Sequence, residues 1–413
     1  MALPQRTATA AAANTEATPM QGGSGRLHAL DAVRAIALLL GIVLHGVMSF
    51  LPTMALISWP IVDNSPSDAL NAVFLLIHMF RMPLFFLMAG FFARLMVQRG
   101  GVRAFAADRA RRILLPFLAG WLAIVPLTAW LMLAVAAREG KPEFHPFIPP
   151  DAVLVFPMMH LWFLYLLVIL YAGFIACRWL AVHLLDRRGR LLPAADFVVR
   201  QLAATPLGAL VLALPLAAVL YGDPYWWISL GIPTPDHSLV PNLPALLGFG
   251  MAFTLGWLMH RQPPLLQVLA RRWLLHLLAA VLLTGACVAI AGTALDAIVQ
   301  DDRLRVAYGI AYCTASWCWV FGLVGAALRF LSRESASMRY LADASYWMYL
   351  WHLPLVFALQ AVVMHWGLHW SLKAPLVLGV ATLLLLASYR WLVRGTWVGL
   401  VLNGKVIRVR RWS

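Results

Sequence analysis

The sequence predicts an all-α polytopic membrane protein of about ten transmembrane helices, with both termini cytoplasmic. Three observations carry this expectation. Of 413 residues, 62% are hydrophobic and only 12% charged, and a mean hydropathy of +0.80 lies far outside soluble composition. Apolar runs long enough to span a hydrocarbon core of about 30 Å recur near 29–51, 70–98, 113–137, 157–181, 204–220, 242–260, 273–293, 305–331, 343–366 and 374–394. The charges, finally, divide unequally between alternate loops. Segments 1–28, 94–112, 178–200, 260–272, 329–342 and 390–413 hold 25 of the 32 Lys and Arg residues. Five more (Arg138, Lys141, Arg303, Arg305 and Lys373) fall on the other side, and Arg34 and Arg81 lie inside the apolar runs. Ten of the 17 acidic residues, including Asp63, Asp68, Asp223, Asp236, Asp301 and Asp302, sit opposite the basic loops. The positive-inside rule therefore puts the basic side in the cytoplasm. The net charge of +15 reads as topology and contact with anionic membrane lipid, with no nucleic-acid partner required.

Residues 1–25 are rich in Ala, Thr and Gly without an apolar core, which predicts a disordered cytoplasmic tail and not a signal peptide. Residues 26–400 form one ten-helix membrane domain, and 401–413 a basic cytoplasmic tail. No internal repeat is visible, which weighs against the inverted-repeat transporter folds. The four cysteines, Cys177, Cys287, Cys313 and Cys318, fall in predicted helices at no metal-ligand spacing. They are expected to be buried free thiols, with no metal site.

The first run, LDAVRAIALLLGIVLHGVMSF, carries Arg34 and, after ten intervening residues, His45. Eleven positions are close to three helical turns, so both side chains share a face roughly 16 Å apart along the axis. A charged and a titratable group aligned inside a membrane form a functional-site hypothesis. The alternative is a packed histidine with an arginine reaching to the interface. In the second run, IHMFRMPLFFLMAGFF, His78 and Arg81 are three apart and share a face. Pro83 can kink this helix, and Ala89-Gly90 permits close helix contact. Depth along the helices places His45 roughly 9 Å and His78 roughly 12 Å below the outer ends, at a similar level.

Next comes an arginine cluster, Arg99, Arg103, Arg109, Arg111 and Arg112, stopped by Pro116. Guanidinium forks match phosphate oxygens bidentately, so Arg109 and Arg112 on one helical face suit a phosphorylated donor. A charge run at a helix end is also an ordinary orientation signal. HLWFLYLL begins the fourth helix with His160 and Trp162, and SYWMYLWHLP places Ser345, Tyr346, Tyr349 and His352 in the ninth. Tyr and Trp near an interface are often aromatic-belt anchors, a reading that fits Trp162 better than Ser345 or His352. The outer loop YGDPYWWISLGIPTPDHSLVPN carries Tyr221, Tyr225, Trp226 and Trp227 with Asp223 and Asp236. Its aromatics suit either sugar rings or, with slight preference, an interfacial lid.

Taken together, LDAVRAIALLLGIVLH, HMFRMPLFFLMAGFF, RARRILLP, HLWFL, SYWMYLWHLP and WVGLVLNGK resemble the acyltransferase-3 family of membrane acyltransferases, in particular its glucan-biosynthesis branch. The pieces occur in the family's order from residue 30 to about 405. The resemblance implies a multi-pass enzyme of the bacterial inner membrane. Such an enzyme moves an acyl group, typically succinyl, from cytoplasmic acyl-CoA to a hydroxyl of a periplasmic glucan or related glycan. Acyl-CoA would be a co-substrate, with no permanently bound cofactor. Arg34 and His45 would be the family's arginine-ten-histidine pair, and Arg109 and Arg112, with Arg111 beside them, its coenzyme-binding motif. Ala89 departs from the pattern, which usually has Ser-Gly at the end of the second motif, so no hydroxyl acts there.

On this reading His45 is the general base on the acceptor hydroxyl, because imidazole titrates near neutral pH; an acyl-histidine intermediate is the alternative. One turn to either side of His45 lie Gly41 and Ser49, of which only Ser49 could hydrogen-bond it. His78, Tyr349 or His352 could orient it from another helix. Arg81 would stabilise the oxyanion or pair with a succinyl carboxylate, and His160, Trp162, Tyr349 and Ser345 would contact substrate. An O-acetyltransferase acting on another cell-surface polysaccharide is the alternative within the same chemistry, and two other classes stay open. A glycan exporter or flippase would move substrate without consuming thioester, and a haem carrier could use His45, His78, His160 and His352 as axial ligands.

Overall fold

The computed structural model describes residues 28–54, 59–141, 156–180, 183, 191–223, 226–235 and 237–404. The tail 1–25, the basic residues beyond 404, and Tyr225 and Asp236 of the aromatic loop lie outside the described residues. Among those described, regular structure is helical throughout. The order is α1 (His28–Val47), α2 (Asp68–Arg109), α3 (Leu115–Arg138), α4 (Trp162–Leu180), α5 (Leu191–Leu202), α6 (Pro206–Gly222), α7 (Leu243–Met259), α8 (Pro263–Ala291), α9 (Asp302–Phe330), α10 (Ala336–Val363), α11 (Trp370–Ser388) and α12 (Trp397–Asn403).

All ten apolar runs fall on helix. Seven helical segments are long and apolar enough to cross a membrane, or eight if a bent pair counts as one span. Three local features account for the difference from ten. The runs at 70–98 and 113–137 merge into one segment, Asp68–Arg138, because the π-helical turn Ala110–Leu114 carries α2 into α3. Gly101, at φ 76°, is the one non-helical residue inside α2. The run 204–220 belongs to a pair, α5 and α6, bent by 110°; Pro206 sits at the start of α6, where proline's missing N–H costs nothing. The run 242–260 forms α7, only 17 residues long. Two further helices, α5 and α12, lie outside the ten runs. The α5 sequence LLPAADFVVRQL is amphipathic, and its Asp196 accepts from Arg261 Nε at 2.9 Å and Nη2 at 3.0 Å.

Helix α1 packs on α10 and α2, α2 on α7, and α8 along α9. The α2–α7 contact is reciprocal. A Cβ on Gly90 would stand 1.9 Å from the Phe253 carbonyl oxygen, and one on Gly256 equally close to that of Leu87. Only hydrogen at both positions lets the two backbones meet, the small-residue packing expected between helices in lipid. The apolar side chains outside the core are consistent with that solvent: Leu122, Leu207, Leu282 and Leu383 are all exposed.

Candidate active site

Polar side chains converge on two cavities placed end to end. The inner one, about 310 Å³, is lined by Arg34, Arg109, Arg112, Ser345 and Tyr346 among others. The outer one, about 400 Å³, is lined by His45, His78, His160, His237, Trp59 and Trp162 among others. Both are walled by Arg81, Met82, Phe163, Tyr349 and His352. Side chains from α2, α4 and α10 thus meet at one septum.

On the outer side three histidines form a cluster. The His352 ring lies 5.1 Å from His45 and 5.1 Å from His160, centroid to centroid. Each has one nitrogen against an atom that can only accept. His352 Nδ1 donates to the Tyr349 carbonyl at 2.7 Å, and His160 Nε2 to the Leu350 carbonyl at 3.0 Å. His45 Nδ1 faces the Met48 thioether at 3.3 Å. Carbonyls and thioethers offer lone pairs only, so these nitrogens carry the proton in the neutral rings. The lone pairs are therefore on His45 Nε2, His352 Nε2 and His160 Nδ1. The last two are buried without a hydrogen-bond partner among the described residues.

The partner of His45 is Met48, one turn ahead, and not Ser49, whose buried hydroxyl has no hydrogen-bond partner among the described residues. From α10, Gln360 Nε2 donates to the carbonyls of His45 at 2.9 Å and Gly46 at 3.1 Å, pinning the end of α1. His78 stacks on Phe74 at 5.3 Å, with a buried Nδ1 that has no hydrogen-bond partner among the described residues. Tyr349 donates its hydroxyl to the His160 carbonyl at 2.6 Å, tying α10 to the turn before α4. Residue Met159 of that turn adopts φ 47°, a sparsely populated conformation for a non-glycine residue. Trp162 stacks on Phe249 at 5.5 Å in the outer wall.

Arg81 reaches the septum through a gap in α1. A Cβ on Gly41 would stand 2.4 Å from Arg81 Nη1, so the absent side chain one turn before His45 makes the socket for the guanidinium. Arg81 Nε is buried without a hydrogen-bond partner among the described residues.

At the inner end, Arg34 Nη2 donates to the Ala342 carbonyl at 2.7 Å. Ser345 Oγ donates to the same oxygen at 2.8 Å. Arg109 is held by Asp108 and by Met96 Sδ at 2.9 Å, over the faces of Phe105 and Tyr171. Arg112 donates to the Leu402 carbonyl at 3.3 Å and lies 3.6 Å from Asp108. Arg111 is exposed and lines neither cavity.

The structure thus brings His45, His78, Arg81, His160, Trp162, Tyr349 and His352 together, and places Arg34, Ser345, Arg109 and Arg112 in the adjoining chamber. Arg34 and His45 share a helix face but open onto different cavities. Sequence reasoning missed Asp108, which pairs with both coenzyme-motif arginines, as well as Met48, Trp59, Gln360 and the role of Gly41 as the socket for Arg81. Of these only Gln360, an isolated amide in an apolar helix, left a local signal. Among the described residues no group of three or more His, Cys, Asp or Glu is arranged to hold a metal ion.

Fold and site describe a multi-pass, all-helical membrane protein with its polar chemistry gathered inside the bundle. The family model described as Acyltransferase domain matches residues 27–390. The chain belongs to this acyltransferase-3 family. It is also similar to glucans biosynthesis protein C of Salmonella paratyphi B (strain ATCC BAA-1250 / SPB7) and of Salmonella heidelberg (strain SL476), at 29% identity over 147 residues. The matched stretch is 35% of this chain and 37% of each relative's length. No solved structure matches the chain.

Proposed function

We propose that the chain transfers an acyl group, succinyl, from cytoplasmic acyl-CoA across the inner membrane to a hydroxyl of a periplasmic glucan or related glycan. The observation that supports this most directly is the pair of cavities sharing one wall at Arg81, Tyr349 and His352, with arginines at one end and unprotonated imidazole nitrogens at the other. Fixed guanidinium groups suit the phosphates of a coenzyme, and the inner chamber leads an extended donor to the septum. The relatives' name supports glucan as the acceptor class. The chain's charge asymmetry supports ten crossings with the arginine end cytoplasmic.

In the transfer, His45 Nε2 removes the proton of the acceptor hydroxyl while that oxygen attacks the thioester carbonyl. Arg81, at the septum, stabilises the negative charge that develops on the carbonyl oxygen. The intermediate collapses with cleavage of the carbon–sulfur bond, and the proton held by His45 passes to the departing thiolate. Ester and free coenzyme thiol are the products.

Sealed right-side-out vesicles test both the reaction and its sidedness. With labelled succinyl-CoA inside and a neutral β-glucan oligosaccharide outside, the external glycan becomes labelled. Donor added only outside gives no label. Efficient transfer with both substrates outside would overturn the assignment.

A further inference from the structure

The segment between α1 and α2 is fastened unusually firmly for a loop. Lys373 of α11 is fully buried, and its ammonium donates to Asp63 Oδ1 at 2.5 Å, Asn64 Oδ1 at 2.6 Å and the Trp366 carbonyl at 3.1 Å. The Asp63 N–H donates to the Ser49 carbonyl at 2.8 Å, and the Ser67 N–H to that of Phe50 at 2.8 Å. Ser65 Oγ accepts from the Trp370 N–H at 3.0 Å. Buried cations persist only when paired and hydrogen-bonded, and here every proton of the ammonium has an oxygen within reach. The segment is therefore pinned to the end of α1 and to the α10–α11 corner.

This clamp sets Trp59 into the wall of the outer cavity. The indole meets Phe357 of α10 edge-on at 5.3 Å and is 7% exposed. Its Nε1 is buried, with no hydrogen-bond acceptor among the described residues. Indole N–H is a donor only, and buried donors in native proteins almost always have a partner. In the same cavity Trp162, Trp227 and Phe74 supply aromatic faces, and among the described residues no carboxylate or lysine contributes to the lining and Arg81 is the one fixed charge.

We propose that Trp59 is an acceptor-binding residue whose indole N–H donates to a hydroxyl or ring oxygen of a neutral sugar held in the outer cavity. The inference rests on the acyl-transfer reading above. It adds a complement to the histidine lone pairs: a sugar hydroxyl can donate to an imidazole nitrogen and accept from an indole, and the cavity wall offers both.

The test uses the full-length protein in vesicles, with succinyl-CoA as donor and the β-glucan oligosaccharide as acceptor. Trp59→Phe keeps an aromatic ring beside Phe357 while deleting the N–H donor together with the five-membered ring that carries it. The expected result is a rise of about two- to tenfold in the acceptor KM, with kcat and the donor KM unchanged. A deoxy-sugar series supplies a second arm on the parent protein. Removing one particular hydroxyl raises its acceptor KM by a similar factor, and that rise disappears in Trp59→Phe. An unchanged acceptor KM in the variant, or an equal rise in the donor KM, overturns the assignment. If Trp59→Phe does not fold, a deoxy series with no sensitive position overturns it. Absence of transfer by the parent protein removes the acyl-transfer reading and the subsite with it, an outcome distinct from the other two.

Discussion

In the inner cavity Arg34, Arg109 and Arg112 are each held by a fixed neighbour, a backbone carbonyl or Asp108, whereas in the outer cavity His45, His160 and His352 each use one ring nitrogen and keep the other uncommitted. The difference follows from the chemistry of the two side chains. A guanidinium has five donors and loses little by giving one or two to the scaffold, since the rest still face an anion. An imidazole has two nitrogens, and fixing one decides which end of the ring is the base. One end of the molecule is thus preorganised for charge and the other for protons. Damage to the two ends should therefore appear in different kinetic constants.

The largest expected effect is at the outer end. His45→Ala should insert and fold, with turnover reduced by about 10²–10⁴-fold and donor affinity unchanged. Wild-type turnover in a quantitative transfer assay would remove His45 from the mechanism and dissolve the contrast between the cavities.

Lys373→Met probes the scaffold around the outer cavity. It leaves Asp63 buried without its cation and should cost about 3–5 kcal/mol of stability, read as a lowered midpoint of thermal unfolding in detergent. Lys373→Met with Asp63→Leu should regain most of that loss. A double variant no better than the single one would show that the clamp acts through packing and not charge.

Arg109→Ala and Arg112→Ala should each weaken donor binding by about 1.5–3 kcal/mol while leaving the acceptor KM in place. Calorimetric titration with succinyl-CoA decides it, and equal affinity across variants would reduce these arginines to topology signals. Gln360→Leu should have the smallest effect, about 0.5–1.5 kcal/mol in stability, since it releases two carbonyls at the end of α1. A loss of turnover out of proportion to that destabilisation would show that the amide aligns His45 directly.

Much of this arrangement was legible from helical periodicity. Arg34 and His45 lie three turns apart, and His78 and Arg81 one turn apart, so their common faces could be read without a structure. Ser345, Tyr349 and His352 likewise announced themselves as polar groups in an apolar helix. What periodicity could not supply was pairing between helices far apart in sequence. Asp63 and Lys373 are joined across 310 positions, and each alone reads as an ordinary outer-loop charge. Gly41 looks like a helix-packing glycine until Arg81 is seen occupying the space above it. The three spans missing from the count of ten have an equally local origin: hydropathy registers apolar composition but not the continuous turn at Ala110–Leu114, the 110° bend between α5 and α6, or the early end of α7 at 17 residues.

The shared wall between the cavities bears on permeability as well as on chemistry. A bundle hollowed from both ends invites leakage of ions down the membrane potential, and what separates the two cavities is a wall whose side chains line both. Placing a guanidinium in that partition sets an electrostatic barrier to cations and protons, as basic side chains do in pores that must exclude them. Tyr349, bonded across to the His160 carbonyl, latches the same partition mechanically. The residues proposed to carry acyl transfer are the same ones that wall off the two cavities, so a variant such as Arg81→Ala would be expected to conduct as well as to fail in catalysis.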